Sequence, residues 1–226
     1  MGGCASCPAD KYKTSQEVAD LRAQVDQLQK ALALAHSGGA SLPPAPPIPA
    51  PGNGFDSGVV ETLFFPDSKL PCRNMRKPGG CRRPHCEFAH EPTSLTRFLA
   101  HLAAATRHLD ICVFTITNDD ISDVVLDLHR KGVKIRVITD NDQAQTQGSD
   151  IDKFRAVGIP VRQDRSPAHM HHKFAIIDGR VLLNGSFNWT RQAVTGNNEN
   201  VTVMSDARLI SAFQTQFNKL WEAFKQ

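Results

Sequence analysis

Residues 169–190, HMHHKFAIIDGRVLLNGSFNWT, hold the residue types that attack on a phosphodiester requires. His171-x-Lys173 is followed, after four intervening residues, by Asp178, and then by Gly185-Ser186-x-Asn188. The non-bridging oxygens of a phosphodiester are negatively charged and repel a nucleophile. Cleavage therefore needs a cation at the phosphate, a nucleophile, and a proton for the leaving oxygen. A neutral imidazole can attack phosphorus and form a phosphohistidine. An imidazolium can donate the proton, because histidine titrates near neutral pH. Lysine supplies a compact positive charge, and Ser and Asn add neutral hydrogen bonds.

These side chains need a frame. Residues 173–178 read as a β-strand and 180–184 as its return, with Asp178-Gly179 as the hairpin turn. Residues i and i+2 of a strand share a face, so His171 and Lys173 point into one pocket while His172 faces away. His169 and His172 are read as neighbours of the site. Gly185 lets a backbone approach a phosphate closely. A second basic cluster, His129-Arg130-Lys131, lacks the remainder: Arg136 stands where an Asp is needed, and no Gly-Ser follows.

The order His-x-Lys-x4-Asp, then Gly-Ser-x-Asn, resembles the signature of the phospholipase D superfamily at every defining position. The resemblance implies a catalytic motif of His171, Lys173 and Asp178. His171 would be nucleophile or proton donor, Lys173 and Asn188 would hold the phosphate, and Ser186 would support it. Asp178 would anchor the local structure more than touch substrate, and Glu199 would orient the imidazole. The superfamily's site uses two histidines, and this chain carries one motif. A second copy must then come from a second chain, which predicts a two-fold homodimer with the site across the axis.

A chain of 226 residues accommodates one domain plus an appendage. The net charge of +3 is too small to indicate a nucleic-acid partner by itself. Basic residues nevertheless cluster at Lys69, Arg73, Arg76, Lys77, Arg82 and Arg83, which suits phosphates of RNA or of anionic lipid. No apolar run is long enough to span a membrane, and no signal peptide is read.

The amino terminus offers a different attachment. Gly2, with Ser6 and the cysteines Cys4 and Cys7 close by, fits myristoylation and palmitoylation across residues 1–10. Residues 11–36 read as a short amphipathic helix, with a Thr14/Glu17 capping box and Val18, Leu21, Val25, Leu28 and Leu32 as a coiled-coil seam. Residues 37–57, rich in Pro and Gly, read as a semi-rigid linker.

Residues 58–226 read as the catalytic domain. Near its start, Cys72, Cys81, Cys86 and His90 have the number and types of ligands of a structural zinc site, and the insert at 72–90 resembles a CCCH zinc finger. Phe88 is the aromatic available there for stacking on a base, so a structural clip is favoured over an RNA reader. Cys112 sits in an apolar run and is read as core. Strands are expected at 59–65, 111–116, 133–139 and 200–204, and helices from Ser94, over 119–131 and over 150–157. A last helix carries a core stripe of Leu209, Ile210, Phe213, Phe217, Leu220, Trp221 and Phe224. This alternation predicts an α/β sandwich with a mixed sheet, in agreement with the phospholipase D fold.

Residues 59–224 resemble more closely the single-motif mitochondrial phospholipase D (Zucchini) group. That resemblance implies hydrolysis of cardiolipin to phosphatidate, without a catalytic metal, by a homodimer on a phospholipid membrane. Cleavage of single-stranded RNA of the piRNA-precursor type is the alternative activity it implies, and a non-catalytic RNA- or membrane-binding scaffold is a third reading. The group's membrane-spanning segment is replaced by the acylation pattern, which points to the cytosolic face of a plasma or ciliary membrane, with the mitochondrial outer membrane as the alternative.

Overall fold

The computed structural model describes residues 58–76 and 80–225; the acylation pattern, the amphipathic helix, the linker and Lys77 lie outside them. Seven strands form one mixed sheet: β1 Val59–Phe65, β2 His108–Val113, β3 Lys134–Thr139, β4 Val161–Gln163, β5 Lys173–Ile177, β6 Val181–Gly185 and β7 Glu199–Met204. Their spatial order is β1-β7-β6-β5-β2-β3-β4. Pairs β2–β3 and β3–β4 are parallel and the other four are antiparallel.

Among the described residues six α-helices flank the sheet: α1 Ser94–Ala103, α2 Asp119–Arg130, α3 Asn141–Ala144, α4 Ile151–Ala156, α5 Arg191–Thr195 and α6 Ala207–Ala223. One face of the sheet meets Leu95, Phe98 and Leu102 of α1, Ile121 and Val125 of α2, Phe154 of α4 and Ala193 of α5. The other meets Ile210, Phe217 and Trp221 of α6. Strands at the centre are therefore buried on both sides: every residue of β2 after His108 and of β5 after Lys173 is buried, without alternation. Cys112 lies in the α6 core, and burial pushes its thiol up. The result is the α/β sandwich with a mixed sheet that the sequence predicts.

Several boundaries differ for physical reasons. Thr93, not Ser94, caps α1, exchanging hydrogen bonds with Thr96; the Ser94 hydroxyl donates instead to the carbonyl of Phe64. The strand expected at 111–116 runs over His108–Val113, and Ile116 forms an isolated bridge with Trp189. Leu209 stands outside the core stripe of α6, 43% exposed. Elements α3, β4 and α5 are too short to leave a periodic trace in the sequence. The His129 cluster ends α2, where His129 meets the carbonyl of Val157, and Arg136 bonds Asp110 at 2.8 and 2.7 Å.

Candidate active site

The register of the sheet brings the motif together. Lys173 pairs with Val113 of β2, Phe174 with Asn184, and Gly185 with Val201. His171, Lys173, Gly185, Ser186 and Glu199 thus gather at one end of β5, β6 and β7, with Phe114 at the end of β2. The Nζ of Lys173 lies 3.0 Å from Nδ1 of His171 and donates to the His171 carbonyl at 2.9 Å. Phe114 braces both: its ring stands edge-on to His171 at 4.6 Å, and the ammonium lies 5.1 Å from its centroid.

This arrangement is electrostatically tense. Burial, the Lys173 charge and nearby His169 hold the His171 imidazole below its usual pKa, with Asp140 opposing them. Burial also lowers Lys173, against the stabilising charge of Glu199. The His172 ring lies against Phe174 of the α6 core at 5.4 Å, and it lines one cavity together with His169 and His171.

The turn after β6 is set by two kinds of contact. A Cβ on Gly185 would lie 2.0 Å from the carbonyl oxygen of Asn200, so no other residue fits without moving the backbone. Ser186 closes the approach, its N–H donating to Asn200 O and its Oγ accepting from Asn200 N–H, both at 3.1 Å. Beyond it, Phe187 stacks on Phe65 at 4.2 Å, and Trp189 meets Phe98 at 5.5 Å. These two buried rings fix the backbone on either side of Asn188. The Oδ1 of Asn188 is buried and has no hydrogen-bond partner among the described residues, a costly state for a structural amide and a ready one for a ligand.

Asp178 belongs to the same motif but lies at the far end of β5. It accepts from the N–H groups of Thr106, Arg107 and His108 and from the Thr106 hydroxyl, at 2.7 to 2.9 Å. Burial raises its pKa, but these donors outweigh that and hold the carboxyl well below the usual range. Its φ of 53° and that of Gly179, 65°, make the turn. Glu199 accepts from Asn197 Nδ2 at 3.1 Å and makes no hydrogen bond to His171 within the chain.

Two residues with a part in this geometry were not singled out by the sequence reading. Phe114 follows the apolar run of β2 and reads as one more core residue. Asp140, fully buried, ends β3 and accepts from His169 Nδ1 at 3.1 Å; a carboxylate directly after an apolar strand was the available signal.

Outside this site, the side chains of Cys72, Cys81, Cys86 and His90 converge, with potential ligand atoms all within 4.8 Å of one another. The Cys72 and Cys86 sulfurs lie 3.6 Å apart. Two thiolates on one tetrahedral zinc, each at about 2.3 Å, would stand about 3.8 Å apart, so the donor set fits a structural metal. The insert is tied to the domain by a Pro71–Ala89 bridge and an Arg73–Asp120 ion pair of 2.9 Å. Between it and α2 lies a groove of about 470 Å³ whose walls include Arg73, Arg83, Phe88 and Arg191.

Known proteins resemble this chain in sequence and in fold. The family described as cardiolipin synthase, PLD-like domain, matches residues 98–221. A mitochondrial cardiolipin hydrolase of Chlamydomonas reinhardtii is 66% identical, across 99% of this chain and 100% of its own. The human protein of that name is 41% identical, across 73% of this chain and 68% of its own. In structure, the phospholipase D family member Nuc of Salmonella typhimurium has a TM-score of 0.55 at 24% identity, over 59% of this chain and 90% of its own. NucT of Helicobacter pylori gives 0.52 at 22% identity, over 57% and 87%. The chain belongs to the phospholipase D superfamily, in its single-motif branch with the mitochondrial cardiolipin hydrolases. It is a phosphodiesterase of the phospholipase D type.

Proposed function

We propose that this phosphodiesterase hydrolyses cardiolipin or a related phospholipid to phosphatidate, through a phosphohistidine on His171, at a site completed by a second copy of the chain. The observation that carries this reading is the convergence of His171, Lys173 and the Gly185–Asn188 turn at one sheet end, in a chain whose relatives are named cardiolipin hydrolases. His171 attacks phosphorus, Lys173 and Asn188 hold the non-bridging oxygens, and Ser186 supports the turn that presents them. Water then releases phosphatidate.

The tautomer argues for the second chain. Lysine can only donate, so while Lys173 sits 3.0 Å from Nδ1, the hydrogen of a neutral His171 is on Nε2. Attack through Nε2 requires that hydrogen to move to Nδ1 and an acceptor to hold it there. Glu199 is a half-buried carboxylate at the right end of the sheet, yet it does not reach His171 of its own chain. In a two-fold dimer it can serve His171 of the partner subunit, while Lys173 turns to the phosphate. The partner's His171 supplies the proton for the leaving oxygen.

The insert at 72–90 holds zinc as a structural clip, and catalysis needs no metal. The catalytic domain is assigned to 58–226, behind an amino-terminal stretch to which this reading gives the role of attachment. Among the described residues no helix is long and apolar enough to cross a membrane. Acylation of Gly2, Cys4 and Cys7 would attach the chain to a membrane surface. The mitochondrial names of its relatives, one matching 99% of this chain, favour the mitochondrial outer membrane over a plasma or ciliary one.

Wild-type protein and its His171→Ala variant are tested on cardiolipin, phosphatidylcholine and single-stranded RNA, with and without chelator. Phosphatidate release that is lost in the variant and indifferent to chelator is expected. RNA cleavage without lipid turnover would replace the reading with an endonuclease, and inactivity on all three would leave a binding scaffold. Sedimentation should give a dimer, and mass spectrometry of the first peptide should give a mass increased by acyl groups.

A further inference from the structure

The groove between the insert and α2 opens at the same end of the sheet as His171. Its walls are loops that leave that end: residues 70–74 after β1, residues 117–120 after β2, and Arg191 after the turn that closes β6. Two backbone bonds tie these exits together, from Asp67 N–H to Val194 O at 2.8 Å and from Thr117 N–H to Trp189 O at 2.9 Å. Arg191 stands three residues beyond Asn188, so their Cα atoms are at most about 11 Å apart. Five charged residues line the groove, and both carboxylates are already matched, Asp120 by Arg73 at 2.9 Å and Asp119 by Lys153 at 2.7 Å. Arg83 and Arg191 remain, exposed and with no side-chain hydrogen bond or ion pair among the described residues. Arg83 lies between Cys81 and Cys86, so the gathering of those two ligands also fixes the loop that carries it. Phe88, 41% exposed, gives the groove an apolar lip.

Two unpaired guanidiniums beside a phosphodiester site suit a second anion on the same substrate. Cardiolipin carries one, because its two phosphodiesters are joined by a single glycerol. We propose that Arg83 and Arg191 form a subsite for the phosphate that is not attacked, and so set a preference for cardiolipin over phospholipids with one phosphate. This inference rests on the function proposed above and names the feature of the substrate that the site selects. When a His171 nitrogen bonds to one phosphorus, the bond from that phosphorus to the bridging glycerol oxygen breaks and the oxygen takes up a proton. The unattacked phosphate departs with the glycerol, as phosphatidylglycerol. The two-fold dimer repeats the groove on each side of its axis, so one copy lies on the leaving side, opposite the attacking His171. Arginine holds that phosphate by paired N–H donors, and the lip of Phe88 meets the acyl chains that the same phosphate carries.

The test is steady-state kinetics of full-length protein on cardiolipin in neutral mixed micelles, with phosphatidylglycerol both as substrate and as competitor. A contact remote from the reacting bond is made equally in the ground and transition states, so its loss raises KM and leaves kcat. Arg191→Gln and Arg83→Gln should each raise the KM for cardiolipin by about 5- to 10-fold, a charge-assisted contact discounted for its exposure. The constant for phosphatidylglycerol should not change. Arg191 lies outside the insert, which keeps its variant independent of metal loading, and Arg191→Lys should keep most of the preference. Arg180→Gln removes an exposed charge at the hairpin turn and should change neither constant, which separates the subsite from general attraction to an anionic surface. Equal changes on both lipids, or none on cardiolipin, in a protein that turns cardiolipin over through His171 would overturn this inference alone. Loss of single-stranded RNA cleavage in the arginine variants with cardiolipin kinetics unchanged would also overturn it and give the groove to nucleic acid. A wild-type protein without phosphodiester turnover would overturn the proposed function and this inference with it.

Discussion

The two ends of β5 belong to one sequence motif and obey opposite rules. At the Asp178 end the motif's charged group is satisfied: one carboxylate takes four donors and locks the hairpin to the start of β2. At the Lys173 end, about 17 Å away along five residues of strand, little is satisfied. An ammonium and an imidazole are pressed together, both shifted toward their neutral forms, and the Asn188 oxygen has no donor among the described residues. A group built for stability has its partners already. A group built for a ligand is left wanting one, and the satisfied end holds the strand on which the unsatisfied end depends.

The largest effect that could break this contrast is at His171. His171→Ala should lower phosphatidate release by on the order of 10³-fold or more while leaving the thermal midpoint unchanged. A variant that also melted earlier would place His171 in the scaffold. Lys173→Met should cost about 10²- to 10³-fold in rate, the range for removing one charge-stabilising donor. Its stability should be unchanged or raised, because a cation disfavoured by burial is replaced by an apolar chain of similar length.

Asp178→Asn tests the other end. Asn tolerates the positive φ of this turn, so the variant isolates the charge. Unfolding in urea should show a loss of about 2 kcal/mol, as for hydrogen bonds to a charged acceptor, with the rate per folded molecule unchanged. The pH dependence has a definite sign. The folded-state pKa is depressed, so the carboxylate contributes its full stability above its unfolded value of about 3.9, and loses it as pH falls toward the folded value. The difference between wild type and variant should therefore narrow below about pH 4. A difference constant down to lower pH would mean that the charge is not what holds the turn.

How much of this was legible follows the same divide. The hairpin and the pairing of His171 with Lys173 are local consequences of a period of two and of backbone sterics, and they could be read off the residues; the glycine at 185 was legible as a close approach, but what approaches it is the Asn200 carbonyl of the neighbouring strand. The four cysteine and histidine ligands announce themselves by type. What the chain could not disclose is long-range pairing. Nothing in residues 106–108 marks them as the donors to Asp178, and Phe114 and Asp140 look like a core ring and a strand end. They become a brace and a clamp once β2, β3 and β5 lie side by side. Glu199 has the correct carboxylate chemistry, but which imidazole it meets is a question of assembly that local sequence does not encode.

The smallest expected effect is a shift in a pH profile, and it bears on the reactive end most directly. Nucleophilic attack needs neutral His171, so the rate should fall as pH drops through its pKa. Burial, Lys173 and His169 all disfavour the imidazolium, and Asp140 alone opposes them, so the acid limb should lie below the ordinary imidazole value of about 6.5. Lys173→Met removes a cation that repels the imidazolium. The imidazolium is then easier to form, and the limb should move up. It should not reach the ordinary value, because burial, the larger cause, remains. Asp178→Asn should leave the limb where it is, since its charge sits at the other end of the strand and is already spent on backbone donors. Measured as kcat/KM against pH, a limb that moved in Asp178→Asn and stayed in Lys173→Met would reverse the assignment of the two ends.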